Sequence, residues 1–151
     1  MVVDSSALLA ILQDEPERRT MIEALESADR RCLSVVNLVE ASIVIETRRG
    51  PTAARLLDAL VERAGIEVIG VDVEQGELAR RAFARYGKGR HAAGLNFGDC
   101  FSYALSTTEG RPLLFVGNDF GQTDAGIGVF FFSAYQARRL RFGPRTSSIA
   151  M

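Results

Sequence analysis

The sequence predicts an α/β protein, a parallel sheet of four to five strands covered by helices on both faces. Three observations carry this. Short apolar, β-branched runs alternate with longer helical stretches, the pattern of strand–helix–strand units. The connections are short, with no internal repeat and no low-complexity linker. At 151 residues and 47% hydrophobic, the chain suits one domain with a sizeable core.

Each element can be justified in order. "MVVD" is a β-branched strand ending in an acid, and "SSALLAILQ" turns helical at once. Pro16 fits the first turn of a second helix, which runs to about Asp29. "RCLSV" is a second strand, and "VNLVEASIVIETR" a strongly apolar helix stopped by Gly50–Pro51. "TAARLLDALVERAG" is amphipathic and closes on a glycine. "IEVIGV" is a third strand, and "VEQGELARRAFARYG" a helix ending at Gly87. After the loop "KGRHAAGL" comes a helix that Asn96 caps. In it Phe97, Cys100, Phe101, Ala104 and Leu105 recur at three- and four-residue spacing, describing one buried face. "PLLFVG" gives a fourth strand and "GVFFFS" a fifth. The expected organisation is one domain over 1–133 and a basic, poorly ordered tail over 134–151.

The formal net charge of −1 conceals an uneven distribution. Residues 1–127 carry 14 Lys or Arg against 19 Asp or Glu, a balance of −5. The remainder carries Arg138, Arg139, Arg141 and Arg145 and no acid. The body therefore lacks the basic excess of a dedicated nucleic-acid binder. Cys32 and Cys100 lie far apart without a CxxC spacing, and read as reduced core thiols. No signal peptide and no apolar run of membrane-spanning length is evident, so a soluble, cytoplasmic protein is expected.

Four acids occupy awkward places. Glu40 shares its helix face with Val36, Ile43 and Val44, where an isolated carboxylate would be costly or neutral. Asp4 ends the first strand, Asp99 stands in the first turn of an aromatic helix, and Asp119 follows "LLFV" by three residues. Each has an ordinary role available. Asp4 can cap the helix that follows, Asp99 can complete a capping box with Asn96, and Asp119 can begin a turn. Glu40 can cap its helix or pair with an arginine. In an open parallel sheet, however, the reactive site lies beyond the carboxyl ends of the strands, where these acids converge. Converging carboxylates need a divalent cation, and an oxygen-only set favours Mg²⁺ or Mn²⁺ over zinc. Such a centre suits hydrolysis of a phosphodiester. His91, the sole histidine, stands in a Gly/Ala loop and reads as a surface or substrate contact.

Other chemistries fail on their motifs. There is no GxxxxGK[ST], and the glycines of "GKGRHAAG" do not follow a strand. A haloacid-dehalogenase phosphatase would carry an acid where Ser6 stands. Nothing places Cys32 or Cys100 beside His91 for a Cys–His hydrolase.

With "VVDSSALLAIL", "SVVNLVEASIVIE", "YGKGRHAAGLNFGDCFSYALS" and "LLFVGNDFGQTD" in that order, residues 1 to 125 resemble a PIN-domain ribonuclease of the VapC toxin type. The resemblance implies a PIN-like three-layer α/β/α fold. It implies an acidic metal site of Asp4, Glu40 and Asp99, with Asp119 as a fourth acid. Ser6 matches a hydroxyl that supports the first Asp, and Asp124 an outer acid. Asn118 is neutral where relatives often place an acid, and Val116 replaces a frequent lysine. The family uses Mg²⁺ or Mn²⁺ to cleave RNA, forms homodimers, and is silenced by a VapB-type antitoxin in heterotetramers or larger assemblies. Arg85, Lys88, Arg90 and His91 are the expected RNA contacts. Two alternatives remain: a PIN-like module that binds RNA or antitoxin without cutting, and a DNA nuclease on the same fold.

Overall fold

Val2 and Val3, Cys32 and Leu33, and Leu113 and Leu114 each send neighbouring side chains to opposite faces of one sheet, dividing the core in two. A computed structural model describes residues 1–126. The strands are β1 (Val2–Val3), β2 (Arg31–Ser34), β3 (Ile66–Ile69) and β4 (Leu113–Leu114), all parallel, in the order β3-β2-β1-β4. Val2 lies opposite Cys32 on one side and Leu113 on the other. The chain runs outward from β1 to β3, then returns to the far side of β1 for β4. That reversal opens a crevice at the carboxyl ends of β1 and β4, the usual place for a site in such sheets.

On one face α1 (Ser5–Leu12), α2 (Arg18–Ser27), α3 (Val35–Arg49) and α4 (Ala54–Arg63) bury Leu8, Met21, Leu25, Ala41 and Leu57 against Val3, Leu33 and Leu114. On the other, α5 (Val73–Tyr86) and α6 (Phe97–Glu109) bury Ala79, Tyr86, Cys100 and Leu105 against Val2, Cys32 and Leu113. These are the three layers. Side-chain caps start four of the helices, with Asp4, Ser34, Asp72 and Asn96 accepting from free first-turn amides. Gly110 closes α6 in the left-handed conformation (φ 58°), which costs glycine nothing.

Four expectations change. Pro16 stands in the turn ahead of α2, which begins at Arg18. The buried stripe of α3 is Asn37, Ala41 and Ile45; Val39 and Ile43 face solvent, Ile43 with 61% of its surface exposed. Glu40 is thus at the edge of the buried stripe rather than in its middle. Phe97, expected in the core with Cys100 and Leu105, is 71% exposed. It occupies the first position of its helix, where the sheet no longer lies beneath it. The "GVFFFS" strand and the 134–151 tail fall outside the described residues. Among those described, no helix is long and apolar enough to cross a membrane.

Candidate active site

Asp4 is the best-anchored acid. As N-cap of α1 its Oδ2 accepts from the Ser6 amide (2.9 Å) and the Ser6 hydroxyl (2.6 Å). Its Oδ1 accepts from the Ser102 hydroxyl (2.6 Å) on α6 and the Asn37 amide (3.4 Å) on α3. With 1% of its surface exposed it would be an expensive charge without these donors. The Ser6 hydroxyl also accepts from the Val116 amide (3.1 Å), tying the end of β4 to Asp4.

Asn37, wholly buried, organises the centre. Its amide donates to Gly98 O (3.1 Å) as well as to Asp4. Only the NH₂ end can face two acceptors, so the chemistry fixes which way the side chain points. Its Oδ1 is buried with no protein partner among the described residues, a state that ordered water usually relieves. One turn further along α3, half-buried Glu40 accepts from the Ser5 hydroxyl (2.6 Å). Its carboxylate lies directly over Gly98: a Cβ there would stand 2.1 Å from Oε2. Glycine in the first turn of α6 is therefore what lets Glu40 approach Asp99. Burial pushes the Glu40 carboxyl above its ordinary range and Asp4 adds to that, while Ser5 and Asn37 pull it back.

Asp99 forms a complete capping box with Asn96, its Oδ2 accepting from the Asn96 amide (2.8 Å) and the Asn96 Oδ1 from the Asp99 amide (2.9 Å). Capping does not satisfy it electrostatically. Burial, then the charge of Asp4, push its pKa to about 7; the Asn96 bond opposes this, while Asp119 and Glu40 add to it. Asp119 is exposed in the loop after β4, within electrostatic range of Asp99. Among the described residues none of these four acids makes an ion pair.

The arrangement therefore has mutual repulsion and no internal counter-charge. Among the described residues no three His, Cys, Asp or Glu side chains stand close enough to form a ready-made metal cage. The two facts agree once range is considered, because charges couple over longer distances than ligands bond. Mg²⁺ keeps several waters and is commonly held by one or two carboxylates, so it does not require a closed cage. The donor set, oxygen-only and uncompensated, fits that ion or Mn²⁺.

The remaining expected residues divide. Ser6 touches Asp4 directly, and Asn118 is exposed beside Asp119. Asp124 is engaged elsewhere: it accepts from Arg85 (2.7 Å) and the Tyr103 hydroxyl (2.7 Å), while its amide donates to Tyr86 Oη (3.3 Å). Lys88, Arg90 and His91 are exposed between α5 and α6, with the His91 ring edge-on to Tyr86 at 5.2 Å. Ser5, Asn37, Gly98 and Ser102 were not anticipated. Their signal was available: a polar residue at a core-stripe position, and a glycine inside a helix.

The PIN domain family matches residues 1–126. Ribonuclease VapC of Mycolicibacterium smegmatis is 49% identical over 124 residues, covering 82% of this chain and 96% of that protein. The chain belongs to the PIN-domain VapC ribonuclease family. A further VapC relative, Ribonuclease VapC30 of Mycobacterium tuberculosis, is 47% identical over 124 residues, 82% of this chain and 95% of its own. Among solved VapC structures, M. tuberculosis VapC20, described as a sarcin-ricin loop cleaving toxin, superposes with a TM-score of 0.66 at 20% identity, covering 80% of this chain and 92% of that one. VapBC2 from Rickettsia felis, bound to a promoter DNA fragment, gives 0.63 at 12% identity, covering 87% and 96%. At these identities the structural likeness is one of fold.

Proposed function

We propose that this chain is a Mg²⁺- or Mn²⁺-dependent endoribonuclease toxin, with Asp4, Glu40, Asp99 and Asp119 as its metal-holding acids. The observation that carries the metal reading is geometric: buried Asp4 and Asp99 and half-buried Glu40 gather where α1, α3 and α6 meet, and none of them makes an ion pair among the described residues. Bound there, the ion supplies an activated water and neutralises charge building on the phosphate. Asp4 enters this chemistry pre-oriented by Ser6, Ser102 and Asn37. Glu40 and Asp99 are brought together across Gly98, and exposed Asp119 is free to swing toward an ion or its waters. Ser6 and Asn118 support the site from either side.

Family membership supports RNA as substrate and a cytoplasmic toxin–antitoxin setting. A VapB-type antitoxin and a second copy of the chain are the proposed partners. Exposed Val35, Val39 and Ile43 along α3 give them an apolar face beside the acids. The deciding experiment is cleavage of total RNA by the wild type and Asp99→Asn, with Mg²⁺, Mn²⁺ or chelator. Discrete fragments that require both metal and Asp99 are expected. An intact RNA pool, from folded and antitoxin-free protein, would leave a binding module in place of the nuclease.

A further inference from the structure

Beside the acids, between α5 and α6, runs an apolar groove of about 520 Å³, within the range of small-molecule sites. Gly76 and Ala79 leave its floor open, and three phenylalanines line it. Phe97 is the most exposed of them and meets Phe101 at 5.0 Å in an edge-on contact. Phe83 carries the Arg90 guanidinium over its ring, 5.2 Å from the centroid. Arg80 stands at the rim, paired only with exposed Glu77 on its own helix. Arg90 makes no ion pair among the described residues. The stretch 80–90 holds Arg80, Arg81, Arg85, Lys88 and Arg90 without a single acid, in a body that is otherwise net acidic.

Phe97 also lines a second, mainly apolar groove of about 400 Å³ along α3, with Val35, Val39 and Ile43 beside Glu40. One exposed ring thus stands between the aromatic groove and Glu40, and the next two residues in the chain are Gly98 and Asp99. An aromatic platform bordered by cations, opening onto a phosphodiester-cleaving centre, has the composition of a single-stranded nucleic-acid site. We propose that an unpaired base of the substrate RNA stacks on Phe97 in the α5–α6 groove, with its phosphates near Arg80 and Arg90. The backbone then passes over the head of α6 to the acids. This rests on the ribonuclease reading and adds to it a residue that positions the RNA.

The test uses the full chain carrying Asp4→Asn, so that RNA is bound without cleavage. The probes are a fluorescent mixed-sequence single-stranded oligoribonucleotide and the same strand in a blunt duplex. Phe97→Ala and Phe97→Leu are expected to weaken single-strand binding about 5- to 150-fold, the usual loss for one stacked base. Phe97→Tyr retains it, and duplex binding changes little in all three. In the chain with Asp4 intact, Phe97→Ala raises KM for RNA and leaves kcat in place. Parental affinity in Phe97→Leu overturns the proposal, since apolar area alone would then suffice. Unchanged RNA binding together with lost antitoxin binding also overturns it, and makes the groove a protein-docking surface. A wild type that cleaves RNA while ignoring Phe97 defeats the stacking site alone. A wild type that cleaves nothing defeats the ribonuclease reading beneath it.

Discussion

Two acidic regions, one at Asp124 and one formed by Asp4, Glu40, Asp99 and Asp119, are built on opposite principles. Asp124 has its own cation in Arg85 and a hydroxyl donor in Tyr103, with the Tyr86 hydroxyl close by and accepting from its amide. Burial pushes its carboxyl up, but those partners outweigh it and hold the group below its ordinary range. Asp4, Glu40 and Asp99 have hydroxyl or amide donors, and among the described residues neither they nor Asp119 has a cation; burial with mutual repulsion raises Asp99 to about 7. Asp124 is electrostatically finished and ties the segment after β4 to α5 and α6. The four acids are short of positive charge among the described residues, as the proposed ion site requires.

The contrast predicts unequal responses to the same chemical change. Asp4→Asn is expected to lower metal-dependent RNA cleavage by more than about 100-fold, since the effect of losing a ligand should exceed the 10–100-fold typical of outer-shell partners. Asp124→Asn should keep cleavage within about tenfold while lowering stability by roughly 1–3 kcal/mol, the cost of a disturbed buried hydrogen bond. Rate assays paired with thermal melts check both. Equal losses of activity would erase the distinction between the groups.

Gly98→Ala sharpens it further. The added methyl meets only the flexible end of Glu40, so the fold should survive, helped by alanine's better helix propensity of about 1 kcal/mol. Glu40 must move away, and Mn²⁺ affinity by calorimetry is expected to fall about 10- to 100-fold. Wild-type affinity in Gly98→Ala would remove Glu40 from the site.

The smallest effect concerns pH. Asp99 titrates near 7 in the folded chain against 3.8 as an isolated side chain. Between those values the native state holds a proton that the unfolded chain has lost, so metal-free stability should fall as pH rises, by at most about 1.36 kcal/mol per unit. Glu40, raised in the same direction, adds to the slope. Mn²⁺ binds the ionised acids, so its stabilisation grows over the same window and flattens the curve. Melting temperatures from pH 5 to 8, with and without Mn²⁺, read this directly.

Much of this was legible beforehand. Strand runs at "MVVD", "RCLSV" and "IEVIGV", and glycine stops at 50 and 87, located the elements to within a few residues, because local patterning dictates them. The four acids stood out as charges in apolar surroundings. What sequence could not supply was the side of a helix that stays uncovered. Val39, Ile43 and Phe97 are as apolar as any core residue, and only the finished packing shows that nothing of the described chain covers them. Asn37 and Ser102 look incidental until three elements meet at Asp4. Asp124 looked like another site acid because spacing does not reveal Arg85 or Tyr103, which lie 39 and 21 positions away.

The strand order has a consequence in time. Of the described strands β1 is made first, yet its second neighbour, β4, is made last, and Asp119 follows still later. A ribosome that has translated a hundred residues has already produced Asp4, Glu40 and Asp99. Their scaffold is still open on one edge, and the Val116 amide that braces Ser6 does not yet exist. Because domains fold as units during synthesis, the acids assemble only as the last strand docks. The acids of this ribonuclease fold therefore come together only after β4 has been made and has docked beside β1.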